Sequence, residues 1–174
     1  MTRKTSTYAR KRRHTPGRPD TLAVVNMHNT RLRAGEIERI LAPCRRALAA
    51  LMQGVASYHQ WVVLCTAGHV AEAIEDSRII AGQRDIIQAA NDALDAIGER
   101  AGRTEEDWRP VTCRGSELLA LQDLVSAHSR QVRELTYGEY TRCADLAVRR
   151  VASMRGMVFR MELSESAAQA WSAA

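Results

Sequence analysis

The residues that could carry acid–base or metal chemistry are two histidines and two carboxylates in the first half of the chain. His59, His69, Glu72 and Asp76 fall on segments that we predict to be helical. His69 and Glu72 are three residues apart, which places them on one face of a helix. His59 and His69 are ten residues apart, whereas two histidines that bind one metal ion from one helix are four apart. We therefore predict packed histidines, no metal site and no cofactor.

Sequence patterns for nucleophilic or phosphate-transfer enzymes are missing. The chain has no Gly-x-Ser-x-Gly elbow and no glycine-rich phosphate loop. The segment Cys113-Arg-Gly-Ser116 is typical of an anion-binding turn before a helix, but a loop with an N-capping serine explains the same residues. We predict no catalytic residues and a protein that is not an enzyme.

The four cysteines carry no sign of a zinc site or of a disulfide framework. They are Cys44, Cys65, Cys113 and Cys143, and none lies three or four residues from a histidine or in a Cys-x-x-Cys pair. No apolar signal segment precedes the body. We expect four reduced cysteines and a cytoplasmic protein.

The strongest chemical signal is a run of basic residues near the N-terminus. Residues 1–46 hold 12 basic and 3 acidic residues, whereas the other 128 hold 13 and 17. Close-spaced cations repel one another, and phosphates relieve that repulsion and release their own counterions. We therefore predict DNA or RNA as the partner, with Arg39 extending the contact surface. The predicted nucleic-acid-binding residues are Arg3, Lys4, Arg10, Lys11, Arg12, Arg13, Arg18, Arg31, Arg33, Arg45 and Arg46.

Within this run, Gly17-Arg18-Pro19 follows four adjacent basic residues, Arg10 to Arg13. Proline keeps the chain extended, and glycine lets the backbone approach a narrow surface. The segment resembles the core of an AT-hook, a short peptide that binds the minor groove of DNA. The resemblance implies that Arg18 enters a minor groove.

The elements that must position these residues are helices. Apolar residues at helical spacing predict helices over 34–41, from Pro43 onward, over 83–100, from Ser116 and from about 136 to 154. Gly102 is expected to end one helix, and Thr136 and Glu139 to form a capping box. Residues 22–33 are expected to be extended and docked on the body. Residues 157–163 alternate in polarity and are consistent with a short strand.

The stretch Ala47–Ala71 has no formally charged residue and is long enough to cross a bilayer. Six polar side chains interrupt it, which argues for a central helix covered by neighbours, with no membrane contact. Gly54 and Gly68 are its weak points, and we expect any break near residues 66–68. The predicted fold is all-α, with about five main helices in a bundle around this charge-free helix and an extended basic N-terminal arm.

The run from Leu118 to His128, continued from Gln131 to Tyr140, resembles small helical proteins of phages and prophages in proteobacteria, some of them labelled Fis-like regulators. A Fis-like protein ends in a basic helix-turn-helix, whereas Arg149 and Arg150 are the only adjacent basic pair in the last predicted helix. The resemblance implies a phage-like accessory or regulatory protein.

These observations predict three regions: a basic, mostly extended arm over residues 1–33, a helical bundle over 34–156 and a C-terminal tail over 157–174. The expected function is nucleic-acid binding through the arm. The alternative is an inhibitor or adaptor whose body and arm bind a host or viral protein complex. The sequence leaves a protein partner and a homodimer open.

Overall fold

The structure, a computed structural model, describes residues 21–153. This part of the chain is all-α, as predicted, and contains six helices and no strand. Five of the helices are long, which agrees in number with the about five main helices expected, although the first two have other bounds than expected. The helices are α1 (Thr21–His28), α2 (Ala34–Met52), α3 (Tyr58–Asp76), α4 (Arg84–Ala101), α5 (Gly115–Glu134) and α6 (Tyr137–Ser153).

Glutamate and glutamine side chains fix where four of these helices begin. Glu36 accepts a hydrogen bond from the Arg33 N–H at 2.8 Å, and Glu117 accepts one from the Arg114 N–H at 2.8 Å. The predicted capping box before α6 is confirmed, because the carboxylate of Glu139 accepts from the Thr136 N–H at 2.8 Å. A capping box formed by Ser57 and Gln60 opens α3. Each box satisfies N–H groups that have no partner within the helix.

Two apolar clusters hold the helices together. The larger lies among the second half of α2, the first half of α3, α4 and the first half of α5, and includes Leu51, Leu64, Ile97 and Trp108. The smaller joins the first half of α2, the second half of α3 and the α5–α6 region. Its largest fully buried side chains are those of Ile40, Leu41, Ile74, Leu135 and Tyr140. Helix α6, with α1 outside it, therefore packs on the smaller cluster only.

Four expectations about the first half of the chain are wrong. Residues Thr21–His28 form α1, where an extended segment was expected. Pro43 lies inside α2 and does not start a new helix, because one apolar stripe runs continuously past it. The charge-free stretch is not one helix: α2 ends at Met52 and α3 begins at Tyr58, with a turn at Gly54 between them. No break occurs near residues 66–68, where α3 continues.

Predictions for both ends of the chain stay untested. The basic run from Arg3 to Arg18, the strand expected over 157–163 and the tail over 157–174 lie outside the described residues.

The end of α4 is confirmed, since the helix ends at Ala101 and Gly102 follows with a φ of +98°.

Candidate nucleic-acid interface

The linking segment, which we define as residues 29–33 between α1 and α2, is hydrogen-bonded to the α5–α6 connection. The Leu32 N–H donates to the carbonyl of Leu135 at 3.1 Å, and the Tyr137 N–H donates to the carbonyl of Thr30 at 2.9 Å. The Leu32 side chain is buried in the smaller apolar cluster. Backbone and side chain therefore both hold this segment against the α5–α6 connection.

Close packing of α1 on α6 requires a glycine. A Cβ on Gly138 would lie 2.8 Å from the Nδ1 of His28 and 2.9 Å from its carbonyl oxygen. The His28 ring also meets the ring of Tyr137 edge to face, with 6.0 Å between the ring centres. Any larger residue at position 138 would push the end of α1 away from α6.

Arg31 and Arg33, two of the predicted binding residues, lie on this linking segment. The guanidinium of Arg31 is 3.3 Å from the carboxylate of Glu134, and both side chains are well exposed, at 70% and 60%. Arg33 is the residue just before α2, and it is exposed. Exposed ion pairs contribute about 0–1 kcal/mol, so the Arg31 pair can open when a phosphate competes for it.

Arg45 and Arg46 lie on the solvent-exposed side of α2. Arg45 is paired with Glu38, two turns earlier in the same helix. Arg46 is exposed and is close enough to Glu38 to favour its ionised form. The hydrogen bond from Arg45 is the main reason that the pKa of Glu38 is below its ordinary value. Glu38 is therefore ionised at neutral pH and partly neutralises these arginines.

The two potential catalytic histidines do not form a site together. His69 Nδ1 is 3.8 Å from a carboxylate oxygen of Glu72, as their spacing predicts, and His59 lies ten residues away near the start of α3. A depression beside Glu72, bordered by Arg84 and Ile87, has room for about one water molecule. Within residues 21–153, no three His, Cys, Asp or Glu side chains are placed to share a metal ion.

At the turn Cys113–Ser116, the carboxylate of Glu117 occupies the place that an external anion would take. α5 begins at Gly115, and Glu117 accepts from the Arg114 N–H there. Both carboxylate oxygens of Glu117 also accept from Arg100, at 2.6 and 2.7 Å. The hydrogen bonds from Arg100 are the main cause that lowers the pKa of Glu117. An external anion would have to displace this carboxylate, so the turn is structural.

The structure thus places the described site residues in two groups. Arg31 and Arg33 are at the α1–α2 connection, and Arg45 and Arg46 are about 20 Å further along, since α2 rises 1.5 Å per residue. Glu38 was missed in the sequence. Its position seven residues before Arg45 was the available signal, because residues two helical turns apart lie on one side of a helix.

No protein-family model matches this chain, and neither a curated protein nor a solved structure shows significant similarity to it. Among the described helices, none combines the length and the apolar character needed to cross a bilayer.

Proposed function

We propose that this protein is a non-enzymatic accessory or regulatory protein of the phage type, which binds nucleic-acid phosphates through its arginine-rich N-terminal arm. One observation carries the proposal: positive charge is concentrated in one part of the chain. Residues 1–20 hold seven basic residues and one acidic residue, whereas residues 21–153 hold 16 basic and 17 acidic residues. The body as a whole has no electrostatic attraction for a polyanion, and the arm has a strong one.

The arrangement of the body supports this assignment. Many of its arginines are engaged with carboxylates, such as Arg84 and Arg150 with Asp76 and Arg100 with Glu117. The arm is joined to the body at the linking segment beside Arg31 and Arg33. Arg31 and Arg33 are the next basic residues along the chain after Arg18, and both are exposed, so one nucleic acid could contact the arm and the start of α2.

The experiment measures the affinity of the full-length chain for a short DNA duplex and a short RNA across a salt series, by fluorescence anisotropy. The test variant changes Arg10, Lys11, Arg12 and Arg13 to Gln. Each phosphate contact contributes about 0.9 to the slope of log K against log salt concentration, so the slope should fall by about 3 to 4. Affinity near 0.1 M salt should fall at least about tenfold.

The matched control also removes four positive charges, but from exposed positions on four parts of the body. It changes Arg78, Arg103, Arg130 and Arg142 to Gln. We expect this control to bind nearly as tightly as the unchanged protein. If both variants lose affinity equally, or if the unchanged protein binds neither nucleic acid, the proposal is wrong. A protein partner bound with weak salt dependence would favour the inhibitor or adaptor alternative.

A further inference from the structure

The solvent-exposed side of α2 carries three arginines and one acid. We call these four residues, Glu38, Arg39, Arg45 and Arg46, the α2 face. Arg39 and Arg46 are seven residues apart, so they lie on the same side of the helix, about 10 Å apart along its axis. The helix backbone fixes this spacing between the two Cα atoms, and the long arginine side chains extend from these positions. A polyanion with densely spaced charges can place a phosphate at each of the two arginines.

Arg39 and Arg46 have free donors for a partner. The Nε of Arg39 donates to the carbonyl of Gly35 at 3.2 Å, which orients the side chain and leaves its terminal nitrogens for another acceptor. Within residues 21–153, neither Arg39 nor Arg46 makes an ion pair with a carboxylate. Arginine in this state is well suited to bind a phosphate through two hydrogen bonds.

Arg45 differs because Glu38 already binds it. The side chains of Arg45 and Glu38 are 46% and 63% exposed, so water and ions reach the pair freely. Such exposed pairs are weak, and a phosphate offers the same guanidinium a comparable acceptor. The charge of Arg46 also helps to keep Glu38 ionised. The carboxylate therefore occupies the position that a phosphate would take and repels that phosphate.

We propose that the α2 face is a second contact for the phosphates of duplex DNA, in which Arg39 and Arg46 each bind a phosphate and Glu38 competes with a third for Arg45. This inference rests on the proposed function. It adds the α2 face as a contact surface on the body and Glu38 as the residue that lowers the affinity of that surface. A duplex is the chosen partner because it carries one negative charge per about 1.7 Å of its axis, so it presents phosphates to Arg39 and Arg46 together. The arm supplies the attraction, and the α2 face sets how the body lies against the duplex.

The test uses the full-length chain and a short DNA duplex in a salt series from about 50 to 200 mM. In the double variant Arg39→Gln and Arg46→Gln, the slope of log K against log salt should fall by about 2, since two phosphate contacts are lost. The matched control, Arg130→Gln with Arg133→Gln, removes two exposed arginines of α5 and should leave the slope unchanged. Glu38→Gln should raise the affinity about two- to fivefold and the slope by about 1.

The outcomes separate this inference from the function on which it rests. If the α2 double variant binds like the α5 control, or if Glu38→Gln fails to raise affinity, the α2 face is not a contact. If the arm variant also binds like the unchanged protein, the proposed function itself fails. A single-stranded RNA whose binding depends more strongly on Arg39 and Arg46 than duplex binding does would overturn the choice of partner. Arginine and glutamine have similar helix propensities, so α2 should form in every variant.

Discussion

Arg100 and Glu117 form a two-bond ion pair that joins α4 to α5. The two terminal nitrogens of Arg100 donate to the two carboxylate oxygens of Glu117 at 2.6 and 2.7 Å. The Glu117 side chain is only 7% exposed, whereas that of Arg100 is 27% exposed. Glu117 also caps α5 through the Arg114 N–H. One buried carboxylate therefore fixes both the start of α5 and its contact with the end of α4.

Removing Arg100 should destabilise the fold strongly, because it leaves the Glu117 carboxylate buried without its counter-charge. We expect Arg100→Met to lower the free energy of unfolding by about 3 kcal/mol. The control, Arg103→Met, breaks the exposed pair with Glu99 and should cost less than about 1 kcal/mol. Urea unfolding at neutral pH measures both. Equal effects in the two variants would contradict the prediction.

The same pair also sets a pH dependence. The pKa of Glu117 is below its ordinary value in the folded protein, chiefly because Arg100 donates hydrogen bonds to it. Below the ordinary pKa of 4.5, the unfolded chain takes up this proton before the folded protein does, so folding stability falls as pH falls. In Arg100→Met this loss of stability below pH 4.5 should become smaller. Urea unfolding at several pH values measures it.

His128 on α5 should lower the free energy of unfolding as pH falls, and it should do so at a higher pH than Glu117 does. The His128 side chain is fully buried, and within the described residues neither ring nitrogen makes a hydrogen bond of good geometry, although the Gln131 side chain lies close enough for a weak one. Burial lowers its pKa from 6.5 to about 4, and the nearby Gln131 opposes this only in part. Between those values only the unfolded chain is protonated, so stability should decrease by about 3 kcal/mol as pH falls from 6.5 to 4.

His128→Leu tests this dependence, since leucine fills a similar volume and does not titrate. The variant should lose the decrease in stability between pH 6.5 and 4. At neutral pH it should be at least as stable, because a buried polar ring without a hydrogen bond of good geometry is removed. His69→Gln is the control, because His69 is partly exposed and interacts with Glu72. A pH profile of His128→Leu equal to that of the unchanged protein would contradict the prediction.

Local signals predicted the second half of the fold. Helices α4, α5 and α6 each have a clear apolar stripe, and Gly102 and the Thr136–Glu139 capping box mark boundaries within a few residues. The first half depended on a competition between signals. Pro43 removes one helical hydrogen bond, but the buried stripe from Ile40 to Leu51 contributes more than that loss.

A capping box in the sequence marks the start of α3. The lack of charged residues over 47–71 nevertheless suggested one continuous helix. Ser57 and Gln60 form a capping box, with the Ser57 N–H donating to the Gln60 side chain at 2.9 Å. Gly54 turns the chain with a φ of +69°. The pairing of Glu38 with Arg45 could be expected from their spacing, once α2 was known to be continuous. The docking of residues 30–32 on the α5–α6 connection could not, because it joins backbone groups far apart in the chain.

Gly98 in α4 should not tolerate alanine, although alanine favours helices. A Cβ at this position would lie 2.7 Å from Cζ2 of Trp61. The Trp61 ring cannot move away easily, because its Nε1–H donates to the carbonyl of Leu94 at 3.0 Å and its ring packs on that of Trp108. We expect Gly98→Ala to cost about 1–3 kcal/mol of stability in urea unfolding followed by tryptophan fluorescence.

Gly35 in α2 provides the matched control for Gly98, since a Cβ there has no neighbour within 4 Å. Gly35→Ala should raise stability by up to about 1 kcal/mol, because alanine restricts the unfolded chain. Equal destabilisation in both variants would mean that the contact with Trp61 is not the cause.

Gly138→Ala should separate the end of α1 and the linking segment from α6. The added Cβ would lie 2.9 Å from the His28 carbonyl oxygen, and a backbone atom cannot be moved aside as a side chain can. The hydrogen bonds from Leu32 to Leu135 and from Tyr137 to Thr30 lie beside this contact, so both should open more often. Hydrogen exchange of the Leu32 and Tyr137 amides should become about tenfold faster or more, because opening that is easier by about 1.4 kcal/mol raises exchange by that factor.

Gly115→Ala is the control for this last variant, because a Cβ at that helix start has no neighbour within 4 Å. It should leave both amides unchanged. Under the proposed function, the arm keeps its charges in Gly138→Ala, so the salt dependence that comes from the arm should persist. The contribution of Arg39 and Arg46 should shrink, because α1 is no longer held in a fixed place against α6. Slower or unchanged exchange at Leu32 would show that the close contact between Gly138 and His28 does not stabilise the two hydrogen bonds of the linking segment.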